Sequence, residues 1–232
     1  MLLAINNLDF AYGEAQILYQ VTMDVEIGKV TCIMGRNGVG KTTLLRNIMG
    51  LLKPQAGTIM MAGKNIAQMP PHVRAKMGVS LVPQGRDIFP KLTVEENLRI
   101  GLEARTDGLS KIPPEIFELF PVLHDMRKRM GGDLSGGQQQ QLAIGRALAA
   151  NPGVLLLDEP TEGIQPSIIK LIGEVLKRLS ARGEMAIILV EQYLDFVREV
   201  GDSFVIMNRG RVVHRGLCTE LHAHVVREHL SV

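Results

Sequence analysis

Val21, Met23, Val25 and Ile27 alternate with Thr22, Asp24 and Glu26, the period-two pattern of a half-buried antiparallel strand, and the first 30 residues read as strands. Residues 30–34 form a short continuous apolar run, expected of a strand buried on both faces. A glycine-rich loop follows. Leu44, Leu45, Ile48 and Met49 then recur on one face of a helix that closes near Gly50. Residues 57–66 read as a strand pair turning at Gly63 and Lys64, and residues 79–82 as a strand stopped by Pro83.

Beyond residue 85 the pattern changes. Pro90, Pro113, Pro114 and Pro121 separate short helical stretches, and the segment reads as a mostly helical insertion between core strands. Buried-strand runs resume at residues 154–157 and 186–190. Between them Ile168, Ile169, Leu171, Ile172, Val175, Leu176 and Leu179 form a helical stripe ending at Gly183. Residues 204–213 read as a hairpin turning at Asn208, Arg209 and Gly210. Alternating strands and helices predict an α/β fold with a largely parallel sheet. We expect one domain over residues 1–232, with a core of about 1–85 and 151–232 and a helical subdomain of about 86–150.

Composition narrows the function classes. A formal charge of +2 over 232 residues gives no electrostatic footprint for nucleic acid, so no nucleic-acid partner is expected. No run of about 18 apolar residues occurs, so no membrane span is expected. Met1 to Tyr12 carries Asn6, Asn7 and Asp9 without a basic segment and does not read as a signal peptide. Cys32 and Cys218 are far apart in the sequence and form no disulfide framework or metal spacing. His214, His222, His224 and His229 cluster near the C-terminus. Their spacing matches no strong ligand pattern, and a solvated polar tail is expected.

Glycine is in excess, at 24 residues, and one cluster has a specific meaning. Gly35-Arg36-Asn37-Gly38-Val39-Gly40-Lys41-Thr42, followed by Thr43, fits G-x-x-x-x-G-K-[ST] between a buried strand and a helix. Glycines let backbone N–H groups converge on phosphate oxygens, and the helix N-terminus adds partial positive charge. Lys41 would reach the β- and γ-phosphates of ATP, and Thr42 would offer a hydroxyl to Mg²⁺. The run 154–157 ends in Asp158 and Glu159, at the carboxyl end of a strand, where parallel sheets bind ligands. Asp158 suits Mg²⁺, and Glu159 suits the polarisation of an attacking water.

Leu134-Ser135-Gly136-Gly137-Gln138, ending 20 residues before Asp158, resembles the signature segment of ABC ATPases. With the two nucleotide motifs in order, the resemblance covers essentially the whole chain. It implies a phosphate-loop NTPase core with an N-terminal antiparallel β subdomain and an inserted helical subdomain. It also implies that Gln84 contacts Mg²⁺ and the attacking water, and that Tyr12 stacks on adenine. ATP would be clamped in a head-to-tail dimer with a paralogous or identical subunit, between the phosphate loop of one chain and Ser135, Gly136, Gly137 and Gln138 of the other. Two membrane permease subunits and an extracytoplasmic substrate-binding protein would complete the system, with this chain on the cytoplasmic face of the inner membrane. Residues 86–97, with Ile88, Phe89 and Leu92, would receive a permease helix or pack within the subdomain.

Two positions depart from the usual family pattern. Gln192 stands where a histidine is usual, and Gln165 where an aspartate is usual. Gln192 can hydrogen-bond a γ-phosphate but cannot change protonation state as histidine does. Both substitutions resemble the importer branch for branched-chain amino acids and urea. Residues 82–90, 115–123, 161–169 and 190–196 look most like the urea-uptake ATPase. The same motifs also leave open an importer of branched-chain amino acids or short amides, a non-transport ABC ATPase acting on DNA or ribosomes, and a nucleotide-binding regulator with negligible turnover.

Overall fold

The computed structural model describes residues 2–222 together with Val225 and Glu228; His224 and His229 lie outside the described residues. The strands separate into two sheets. Strands β1 (Leu3–Tyr12), β2 (Ala15–Val25), β4 (Ala56–Met61) and β5 (Lys64–Asn65) form an antiparallel sheet of order β2-β1-β4-β5. Strands β3 (Val30–Met34), β6 (Val79–Val82), β7 (Val154–Asp158), β8 (Ala186–Val190), β9 (Ser203–Asn208) and β10 (Arg211–Leu217) form the second, of order β10-β9-β3-β8-β7-β6. All its pairings are parallel except β9 with β10, the edge hairpin.

The central strands are largely apolar because both faces are covered. Val30, Cys32, Met34, Leu155, Leu157, Ile187 and Leu189 enter one core, with Leu142 of α6 (Gly136–Ala149) and Ile172 and Leu176 of α7 (Pro166–Ala181). Their neighbours Ile33, Leu156, Ile188 and Val190 enter the other, with Leu3, Ile5 and Val21 of the antiparallel sheet and Leu44, Leu45 and Ile48 of α1 (Lys41–Met49). Each such side chain contributes roughly 1.5–3 kcal/mol on burial. The polar loops at the carboxyl ends of β3, β7 and β8 therefore rest on a rigid floor.

Between β6 and β7 lie α3 (Val94–Leu102), α4 (Pro114–Leu119), α5 (Pro121–Asp125) and α6. Pro114 and Pro121 open their helices, where a missing N–H costs nothing. Thr93 and Glu96 form a reciprocal capping box on α3, and Ser135 and Gln138 another on α6. Arg178 of α7 and Arg182, which caps its C-terminal end, pair with Glu118 and Glu115 of α4, tying this helical segment to the core. Helix α8 (Leu194–Val200) follows β8.

Arg74, in α2 (Pro71–Lys76), is fully buried. Its guanidinium donates to the carbonyls of Met69, Asn47, Ile48 and Ala67, closing the C-terminal end of α1. Desolvation lowers its pKa to about 10. The two cysteines meet in space. A Cβ placed on Gly201 would lie 2.6 Å from Cys218 Sγ and 2.7 Å from Cys32 Sγ. Both are free, buried thiols, which the sequence separation of the pair concealed.

Candidate active site

The loop from β3 to α1 is shaped by its glycines. Gly35 has φ 146°, and a Cβ there would sit 2.4 Å from the Met207 carbonyl oxygen at the end of β9, so only glycine fits. Gly38 and Gly40 also take positive φ. The loop curls over its own lysine. Lys41 Nζ donates to the carbonyls of Gly35 at 2.8 Å and Arg36 at 3.1 Å, and lies 3.7 Å from Glu159 Oε1. Only 5% exposed, it is held below the ordinary lysine pKa by burial, against the opposing fields of Glu159 and Asp158. Thr42 and Thr43 follow on the first turn of α1, half buried.

Asp158 ends β7. It is buried, its Oδ1 has no hydrogen-bond partner, and burial raises its pKa; the Thr42 hydroxyl beside it favours the charged form. Glu159 takes a left-handed backbone, φ 48°, while its N–H bonds the Val190 carbonyl at 2.9 Å. That conformation costs a non-glycine residue of order 1 kcal/mol or more, and here it turns the carboxylate out of the strand into the crevice. Two amides converge on it. Gln192 Nε2 donates to Glu159 Oε1 at 2.6 Å and to Asn37 Oδ1 at 2.7 Å. Gln84 Nε2 donates to Glu159 Oε2 at 3.3 Å and to Glu162 Oε2 at 2.9 Å. Since both partners of Gln84 are acceptors, its NH₂ faces them and its oxygen faces away.

The structure therefore brings together Lys41, Thr42, Asp158, Glu159, Gln84, Gln192 and Asn37, from four loops distant in the sequence. Other expected site residues lie apart from this knot. Ser135, Gly136, Gly137 and Gln138 open α6, where a Cβ on Gly136 would lie 3.1 Å from the Arg86 guanidinium and one on Gly137 3.1 Å from Ile168. Tyr12 ends β1, exposed, with its ring edge-on to Phe10 at 4.8 Å. Glu162 and Glu191, which no sequence motif marks, also enter the crevice's hydrogen-bond network.

The loop after Gln84 is braced from below. Arg86 and Asp87 both take left-handed backbone, and Arg146 donates to their carbonyls at 3.2 and 2.8 Å. The same guanidinium lies 5.2 Å from the Phe89 ring centre, and buried Asn97 pairs with both backbone groups of Phe89. Phe89 itself stays 45% exposed.

Residues 18–162 match the family described as ABC transporter. The chain belongs to the ABC transporter family. It is an ATPase of that family. It is 36% identical over 228 residues to the probable branched-chain amino acid transport ATP-binding protein LivF of Archaeoglobus fulgidus, covering 97% of this chain and 96% of that one. It is also 36% identical over 213 residues to the high-affinity branched-chain amino acid transport ATP-binding protein BraG of Pseudomonas aeruginosa, covering 91% of each. An ATP-binding cassette solved as a dimer in a post-hydrolysis state with ADP and Pi superposes with a TM-score of 0.83 at 25% identity, over 93% of this chain and 98% of that one. Among the described residues of this ABC ATPase, no helix is long and apolar enough to cross a membrane.

Proposed function

We propose that this ABC ATPase energises an importer of urea, with the crevice at the ends of β3, β7 and β8 as its hydrolytic centre. The observation that carries the hydrolytic reading is the Glu159 carboxylate, gripped by the Gln84 and Gln192 amides 3.7 Å from Lys41. The triphosphate of ATP lies on residues 35–43. Lys41 exchanges its loop carbonyls for β- and γ-phosphate oxygens, and the N–H groups at the start of α1 face the same oxygens. Glu159 accepts a proton from the water that attacks the γ-phosphorus, and ADP leaves as the bond to its β-phosphate oxygen breaks. Gln192 and Gln84 hold the carboxylate and, with it, the water. Gln192 can donate to a γ-phosphate oxygen by the same Nε2.

Mg²⁺ fits the oxygen donors beside this centre. Buried Asp158 meets the Thr42 hydroxyl and keeps its Oδ1 without a partner, and the Gln84 amide oxygen is free of the bonds its NH₂ makes; these three residues would hold the ion. When bound it supplies neutralisation of phosphate charge.

Two copies, or this chain and a paralogue, pack head to tail, so that Ser135, Gly136, Gly137 and Gln138 close over ATP held by the other chain and Tyr12 stacks on adenine. The likeness of this chain to a cassette solved as a dimer bound to ADP and Pi supports this arrangement. Residues 86–150 act as a subdomain that transmits closure. Phe89, exposed on a loop braced by Arg146 and Asn97, meets one of two permease subunits. The chain then sits peripherally on the cytoplasmic face of the inner membrane, and an extracytoplasmic binding protein delivers the solute.

The resemblance of residues 82–90, 115–123, 161–169 and 190–196 to the urea-uptake ATPase supports urea. A second reading, branched-chain amino acids, is favoured by the relatives LivF and BraG. Deleting the gene and measuring uptake of labelled urea and labelled leucine under nitrogen limitation separates them. Loss of urea uptake, restored by the wild-type chain and not by Lys41→Ala, supports the first. Loss of leucine uptake alone moves the substrate to branched-chain amino acids, and no loss of either removes both.

A further inference from the structure

Glu191 is a carboxylate 4% exposed, directly before Gln192, and it is saturated with donors. Its Oε2 accepts from the Thr161 hydroxyl at 2.7 Å. Its Oε1 accepts from the backbone N–H groups of Gln192 at 2.8 Å and Tyr193 at 3.2 Å. Its own N–H reaches the Ile33 carbonyl at 3.2 Å, at the end of the strand leading into the phosphate loop. A buried carboxylate is costly unless it is hydrogen-bonded. Here the bonds fasten three loops to one another: the turn carrying Gln192, the turn carrying Glu159 two residues before Thr161, and the root of the phosphate loop. Gln192 then has its backbone fixed by Glu191 while its Nε2 spans Glu159 and Asn37.

We propose that Glu191, bolted to Thr161, is a positioning residue that sets the Gln192 amide against Glu159 for ATP hydrolysis. The inference rests on the reading of Gln192 and Glu159 as hydrolytic residues. Hydrogen-bond geometry, rather than the charge of Glu191, carries it. A glutamine in its place keeps an oxygen for the two backbone N–H groups and turns its NH₂ to the Thr161 hydroxyl, which also accepts. An alanine keeps neither.

The test is a double-mutant cycle on the purified full-length chain, reading kcat and KM for ATP. Glu191→Ala is expected to lower kcat about tenfold, with KM changed less than about twofold, and Thr161→Val to lower kcat about threefold. Glu191→Gln is expected to remain within about threefold of wild type. Combined with Gln192→Ala, neither Glu191→Ala nor Thr161→Val should lower kcat further, because the group they position is gone. Multiplicative losses in the double variants would overturn the proposal, as would a Glu191→Gln variant as slow as Glu191→Ala. Thr161→Val, which removes only a hydroxyl, carries the same cycle if Glu191→Ala does not fold. Gln192→Ala with unchanged kcat would instead overturn the underlying hydrolytic role of Gln192, a result distinct from multiplicative losses.

Discussion

Lys41 Nζ and Glu159 Oε1 lie 3.7 Å apart, both largely withdrawn from solvent. The cation that the phosphate loop wraps is therefore adjacent to the carboxylate that ends β7. Without phosphate, the charge of Lys41 is met by two loop carbonyls and by Glu159. Lys41→Ala removes the cation that pairs with Glu159 and leaves that carboxylate facing the triphosphate without it. Turnover should fall by more than about 100-fold, with a far-ultraviolet spectrum like that of wild type. A variant that retains turnover within a few-fold would remove Lys41 from the site.

Glu159→Gln keeps the size of the side chain and takes away its capacity to accept a proton. It also replaces one acceptor oxygen with an NH₂ that faces the amide of Gln84 or Gln192. Hydrolysis should drop by about 100-fold or more, while ATP binding persists. ATP-dependent dimers should then accumulate and appear in size-exclusion chromatography. Unchanged turnover in this variant would require another group to activate the water.

The sheet and the phosphate loop were legible because their signals are local. The apolar runs of β3, β7 and β8 each occupy consecutive residues, and the glycines at 35, 38 and 40 announce a backbone that other residues resist. The stripe from Ile168 to Leu179 is likewise written at helical spacing and appears as α7. The polar residues that organise the crevice carry no such signal. Glu191 and Thr161, Gln84 and Glu162, and Arg146 and Asp87 find one another only after the strands are placed side by side. Nothing in the sequence marks Arg74 as buried, yet its guanidinium is the C-terminal closure of α1. Periodicity reports which face is buried and is silent on which buried carbonyl awaits a donor.

Asp158 gives a pH dependence with a definite sign. Burial raises its folded pKa above the ordinary 3.8 of an aspartate, so the native state binds its proton more tightly than the unfolded chain does. Its ionisation therefore costs the nucleotide-free fold stability. The cost is absent below the ordinary value, grows as the pH rises toward the raised pKa, and is complete above it. Asp158→Asn removes it. At pH 7 without nucleotide, thermal unfolding should shift up by about 2–4 °C, and the shift should shrink as the pH is lowered toward 4. Turnover should be lost in the same variant. A melting temperature equal to or below wild type at pH 7 would mean that the unpartnered Oδ1 carries no penalty.

The cysteine pair yields the most direct chemical test of the fold. The Cys32 thiol hydrogen-bonds Cys218, which raises the pKa of Cys32 and lowers that of Cys218; burial also pushes Cys32 up. The thiolate is the nucleophile, so the two sulfurs should differ in reactivity despite touching the same glycine. With iodoacetamide under native conditions, peptide mass spectrometry should find Cys218 modified well before Cys32, which is fully enclosed on the central strand β3. Substitution at position 32 separates the hydrogen bond from simple access. Cys32→Ser retains a donor to the Cys218 sulfur and should leave its alkylation rate near wild type. Cys32→Ala removes the donor and should slow it several-fold at pH 7.5, even though the smaller side chain opens space. Equal rates in the two variants, or faster alkylation in Cys32→Ala, would show that access and not the thiol pair governs Cys218.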